Sequence, residues 1–106
     1  MLCIEDIRSV RRDECIAITK HAKARLSERS ITIDDIKCAI QSGEIIKQYK
    51  DDTPFPSCLL MGLTEKNAYI HIVASIDNGY LYIITAYYPD ENDWEADLKT
   101  RKERLL

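Results

Sequence analysis

The chain has 106 residues, of which 45% are apolar and 31% charged, with a net charge of −3. That is the make-up of one globular domain over residues 1–106, because disordered chains are poorer in apolar residues. No apolar run approaches the ~18 residues needed to cross a bilayer, and Glu5 and Asp6 come too early for a signal peptide, so a cytoplasmic protein without membrane contact is expected.

In chain order, Cys3, Ile7 and Val10 recur at helical spacing and predict a short amphipathic helix over 2–14. An extended Ile16-Ala17-Ile18 follows, and Thr19 is placed to cap a helix over 20–29. Thr32 caps a second helix, with Asp34 and Asp35 at its positive end and Ile33, Ile36, Ala39 and Ile40 as its buried stripe. Gly43 suits a position just past its end. From Glu44 the period changes to two, which predicts strands over 45–49, 57–63, 68–76 and 80–88. Asp77-Asn78-Gly79 marks a hairpin between the last two, since Asn and Gly accept positive φ. Pro89 ends the final strand. A C-terminal helix is expected beyond it, with Trp94, Leu98, Arg101 and Leu105 along one side. Helices followed by consecutive strands give an α+β class, with N-terminal helices on one face of an antiparallel sheet of four or five strands. The other face is open or partly closed by the C-terminal segment.

The net charge disfavours a polyanion partner, but the distribution does not. Residues 8–29 hold seven Lys/Arg against three acids, and residues 30–106 hold eight against thirteen. A basic strip can meet a phosphate backbone on a weakly acidic protein. The four cysteines, Cys3, Cys15, Cys38 and Cys58, have no C-x2-C spacing and no His nearby, so a structural zinc site is not expected. Cys58, in Cys58-Leu59-Leu60-Met61, reads as a buried small side chain.

The candidate chemistry gathers around two histidines. His21, Arg25 and Arg29 follow one another by about 40° around a helix, a stripe that borders the buried Ala22 and Leu26. Fixed guanidiniums there can clamp an oxyanion or phosphate beside a histidine able to move a proton, with Lys20 adding a further cation. The plainer reading is that the arginines pair with acids such as Asp34 or Glu28. His71 lies mid-strand and shares a face with Tyr69, Val73 and Ser75. A three-residue loop at 77–79 sets His71 opposite Thr85 and Tyr69 opposite Tyr87, while a two-residue loop sets His71 opposite Ala86 with Tyr82 and Tyr88 on its face. In the first register His71, Thr85, Tyr69 and Tyr87 form a polar, aromatic patch able to stack a base and move a proton. The plainer reading is a core histidine satisfied by a hydroxyl such as that of Thr85. The basic run Lys99, Arg101, Lys102 and Arg104 reads as a solvated face, and Trp94 as an anchor for the C-terminal segment.

Several short motifs agree in order and spacing with one family. His21-x3-Arg25-x3-Arg29, Gly43-Glu44-Ile45-Ile46 with Tyr49, Pro54-x-Pro56-Ser57-Cys58-Leu59, His71-Ile72-Val73, and Ile83-Ile84-Thr85-Ala86-Tyr87 with Pro89 and Trp94 together resemble the bacterial domain-of-unknown-function family 4258, over residues 16–103. Ser30 departs from it, standing where such proteins often have Gly. The family is similar to the RelE-like toxins of toxin–antitoxin pairs, which implies metal-independent cleavage of RNA, associated with the ribosome, and a zinc-finger antitoxin as partner. In that chemistry His21 and His71 are the candidates for proton transfer, Arg25 and Arg29 for charge stabilisation, and Tyr87 for an acid or a stacking surface. Thr85, Tyr69 and Lys20 are candidate substrate-binding residues, and with no carboxylate cluster to hold a metal, no metal or cofactor is expected. The competing expectation is a non-catalytic interaction domain that binds a protein or nucleic acid through the basic helix strip.

Overall fold

Both of the longer helices start where the sequence supplies a hydroxyl cap. Thr19 accepts the Ala22 amide at 3.0 Å and opens α2 (Lys20–Glu28). Thr32 opens α3 (Ile33–Ser42) and exchanges bonds with Asp35 in a full capping box, which satisfies two amides that a helix start otherwise leaves unpaired. The computed structural model describes residues 1–10 and 12–102. The remaining elements are α1 (Ile4–Arg8), a 3-10 turn at Asp13–Cys15, β1 (Ile16–Ile18), β2 (Glu44–Tyr49), β3 (Ser57–Leu63), β4 (Tyr69–Asp77) and β5 (Tyr80–Tyr87).

The strands form one sheet in the order β1-β5-β4-β3-β2. The fold is α+β as expected, but the sheet is mixed rather than antiparallel. The extended Ile16–Ile18 segment is a fifth strand and runs parallel to β5, pairing Ile16 to Ile18 with Leu81 to Ile83. Parallel pairing is open to it because α2, α3 and three strands intervene before β5, ample chain for a crossover.

One face of the sheet carries the helices. Ile36, Ala39 and Ile40 of α3 and Leu26 of α2 bury against Cys58, Leu60, Ile70, Ile72, Ala74, Leu81, Ile83 and Ala86, with Ile7 of α1 completing the cluster. Each fully buried Ile or Leu there contributes about 1.5–3 kcal/mol. The α3 backbone lies directly on β3: a Cβ built on Gly62 would stand 2.0 Å from the Ala39 carbonyl oxygen. Gly43 is needed for the same reason, its Cβ position being 2.4 Å from that oxygen. Its φ of −96° is ordinary extended backbone, so it does not serve as a left-handed cap.

Three further expectations need correction. The leading helix does not span 2–14; among the described residues the α-helix is confined to Ile4–Arg8, and Arg12 is extended before the 3-10 turn at Asp13–Cys15. Arg8 donates to the carbonyls of Ile40 and Gly43, which ties the end of a helix too short to sustain itself to the end of α3. The C-terminal helix is absent from the described residues. Asp90 and Asp97 draw the backbone into turns by accepting the amides of Asn92, Lys99 and Thr100, an alternative to helix that Asp readily offers. Trp94 and Arg101 pair instead as an isolated antiparallel bridge, with Leu98 between them at a φ of 59°. Arg104 and Leu105 lie outside the described residues. Finally, the hairpin follows neither predicted register throughout.

Candidate functional site on the helix-free face

The hairpin begins with a two-residue loop. Asn78 and Gly79 take φ of 50° and 80°, and Asp77 faces Tyr80. Had that register continued, His71 would face Ala86. A β-bulge at Ile84 intervenes, so that Ala74 pairs with Ile83 while Val73 pairs with Thr85 and His71 with Tyr87. The extra residue lets Ile83 and Ala86 both face the helices, and it turns Thr85 and Tyr87 onto the face of His71. Bulges recur beside active sites because they re-aim side chains in this way.

His71 has no exposed surface although it lies on the helix-free side. The segment after β5 folds back over it. The Trp94 ring meets the imidazole edge-on at 4.4 Å between centroids, and the Leu98 carbonyl oxygen is 2.7 Å from Nε2. Lys99 of the same segment pairs with Glu44 of β2. A carbonyl can only accept, so Nε2 carries the proton and Nδ1 presents a lone pair. The Tyr87 hydroxyl lies 3.3 Å from Nδ1 and donates to it. Burial holds the His71 pKa below the ordinary imidazole value, partly offset by the Leu98 carbonyl. Burial likewise pushes the Tyr87 phenol above its ordinary value, with the Arg101 charge working the other way. At neutral pH the pair is a neutral imidazole accepting from a protonated phenol.

Arg101 sits over the Trp94 ring, 5.8 Å from its centroid. Tyr49 of β2 is also raised by burial and also feels Arg101, so one cation serves both phenols. Arg29, at the C-cap of α2, reaches β5 beyond the stretch that β1 covers. It donates to the Ala86 carbonyl at 2.7 Å and stands 3.5 Å from the Thr85 hydroxyl. The guanidinium thus satisfies an edge carbonyl and sits at the rim of the Tyr87 face.

The expected residues divide between two places. Tyr69, His71, Thr85 and Tyr87 share the helix-free face, with Arg29 at its edge. Arg25 is exposed and pairs with Glu28 at 3.1 Å, the plainer of the two readings. His21 and Lys20 are exposed on the first turn of α2. His21 lines a separate groove with Phe55, Ser75 and Tyr82, and no hydrogen bond or ring contact among the described residues joins it to His71. The hydroxyl that satisfies His71 belongs to Tyr87, not Thr85. Trp94, the Leu98 carbonyl, Tyr49 and Arg101 complete the surroundings of His71 and Tyr87 and were not among the expected site residues. Cys58 is fully buried, and its thiol is pushed up to about 11. Among the described residues no group of His, Cys, Asp and Glu is arranged to hold a metal ion.

The sequence pattern described as a domain of unknown function, DUF4258, matches residues 18–88. The chain belongs to this family. The DUF4258 match takes in α2, α3 and β2 to β5, and with them His21, Arg25, Arg29, His71, Thr85 and Tyr87. It ends before Trp94 and the segment that covers His71. No curated protein and no solved structure matches the chain.

Proposed function

We propose that this DUF4258 domain is a RelE-like toxin of a toxin–antitoxin pair that cleaves RNA without a metal ion. The observation that carries the reading is the Tyr87 hydroxyl, donated to the Nδ1 of a buried histidine whose tautomer is fixed by a backbone carbonyl. In RNA self-cleavage the 2′-oxygen attacks the neighbouring phosphorus and the bond from phosphorus to the 5′-oxygen breaks. Tyr87 takes the 2′-hydroxyl proton as its own proton passes to Nδ1 of His71, and the Leu98 carbonyl steadies the imidazolium that forms. The leaving 5′-oxygen takes a proton from water, and the hydroxide so formed is neutralised by the imidazolium's proton through Tyr87. The products are a 2′,3′-cyclic phosphate, a free 5′-hydroxyl and a neutral His71. Arg29 and Arg101 supply positive charge for the negative charge that builds on phosphorus oxygens. An antitoxin would act by covering this face.

A non-catalytic interaction domain is the second reading, favoured by the partners that Arg25 and Arg29 already have in Glu28 and Ala86. The purified protein, incubated with RNA in excess chelator, separates the two. Cleavage leaving 2′,3′-cyclic phosphate ends, together with growth arrest on expression, is the expected result. Intact RNA, both free and on ribosomes, would overturn the enzymatic reading in favour of the interaction domain.

A further inference from the structure

A groove of about 580 Å³ lies on the same side of the sheet as Tyr87, between the start of α2 and the loop before β3. Its walls are aromatic and aliphatic. Phe55 stacks on Tyr82 with centroids 6.4 Å apart and planes 25° apart, and the bulge residue Ile84 projects beside them. Phe55 is 40% and Ile84 42% exposed, although large apolar side chains at neighbouring positions would ordinarily be covered.

The register shows how this groove relates to His71. Tyr82 faces Ser75, Thr85 faces Val73, and Tyr87 faces His71, so all three β5 side chains look out from the helix-free face. The groove itself ends at Ile84, and the same face of β5 carries on past Thr85, where the Arg29 guanidinium stands, to Tyr87. From Tyr82 to Tyr87 this face runs roughly 15 Å at the usual rise per strand residue. Lys20 and Arg29 are cations near this face, and against them stands the Asp93 carboxylate, whose charge helps raise the Tyr87 phenol. His21 lines the groove on its α2 side, with Lys20 next to it in the chain, and Arg29 stands further along at Thr85. The nearby carboxylate of Asp52 is engaged by the Ser57 hydroxyl and the Thr53 amide.

We infer that the groove is the subsite for a base flanking the cleaved phosphate, and that the substrate is single-stranded RNA laid along β5. This rests on the reading of the domain as RNA-cleaving. An unpaired base stacks on Phe55 and Tyr82, while Lys20, His21 and Arg29 follow the phosphates. Aromatic platforms beside a cationic track are how single strands are held without regard to sequence. Bases already stacked within a duplex present no free face to Phe55. The stripe on α2 thereby divides its work: its first turn serves the groove, and Arg29 the reacting phosphate.

The test uses a short labelled single-stranded RNA and the full chain, with binding read on Tyr87→Phe protein so that the RNA is not consumed. Phe55 lies in an exposed loop, so its variants are expected to fold, with circular dichroism as the check. Phe55→Ala is expected to raise Kd roughly tenfold or more, Phe55→Trp to restore it, and the RNA made abasic at the flanking position to be insensitive to either change. In the otherwise unaltered enzyme Phe55→Ala should raise KM and leave kcat near its original value. Unchanged Kd and KM in Phe55→Ala would overturn the subsite even if the protein cleaves RNA. Loss of self-association in that variant, with RNA binding intact, would overturn it in favour of a second copy as occupant. RNA binding through Phe55 by a protein that never cleaves would leave the groove assigned and remove the cleavage reading alone.

Discussion

Tyr87→Phe is expected to lower the rate of RNA cleavage about 100-fold or more, the contribution typical of a positioned acid–base group. The substitution removes one oxygen and nothing else. The ring keeps its packing against the His71 edge, 5.3 Å between centroids, and the lost bond to Nδ1 is a long one at 3.3 Å. Because it leaves the Nδ1 of a fully buried His71 without its donor, the substitution should cost about 1–3 kcal/mol of stability. RNA binding should survive, because the cations on the track are untouched. Single-turnover cleavage assays, with urea denaturation as a control for folding, measure both quantities. A cleavage rate unchanged by Tyr87→Phe would remove Tyr87 from the chemistry.

Gly62→Ala is expected to cost about 3 kcal/mol, near the top of the usual range for overpacking. The atom that an alanine Cβ would meet is the Ala39 carbonyl oxygen at 2.0 Å, followed by the Ala39 carbonyl carbon and Cα. These are backbone atoms inside α3, so no side-chain rotation relieves the contact. The helix must lift from β3, and Ile36 and Ile40, which it buries, would lose contact with the sheet. Ala39→Gly should not rescue the variant, which distinguishes a backbone clash from a side-chain one. A urea midpoint that does not move would show that α3 does not rest on β3 as described.

Much of the fold was legible because local chemistry and global packing agree. Thr19 and Thr32 cap where their hydroxyls predict, and the apolar stripe of α3 is the face it buries. The parallel pairing of β1 was not legible, since three apolar residues carry no sign of their partner or its direction. The bulge at Ile84 was not legible either. Ile83-Ile84-Thr85 reads as an unbroken strand, and only the need to place both Ile83 and Ala86 against the helices reveals the extra residue. That one residue decides that His71 meets Tyr87 rather than Ala86.

The site shows the same division. Tyr69, His71, Thr85 and Tyr87 were legible as one face because alternation survives errors of register that shift the pairing by an even number of residues. The Leu98 carbonyl was not, because a backbone acceptor leaves no trace in side-chain identity. Asp90 and Asp97 were the available signal for turns in place of a C-terminal helix, and the spacing of Trp94, Leu98 and Arg101 concealed it. His21 aligned with Arg29 on helical spacing, yet α2 crosses the edge of β5. The first turn of the helix and its C-cap residue therefore reach different parts of the sheet.

The most direct test of the Tyr87–His71 relay is the nitrogen NMR of the His71 ring. At neutral pH the spectrum should show a protonated Nε2 and an unprotonated Nδ1, with imidazolium appearing only below the ordinary value of 6.5. A protonated Nδ1, or an imidazolium at neutral pH, would contradict the account, because neither form could accept the proton of Tyr87.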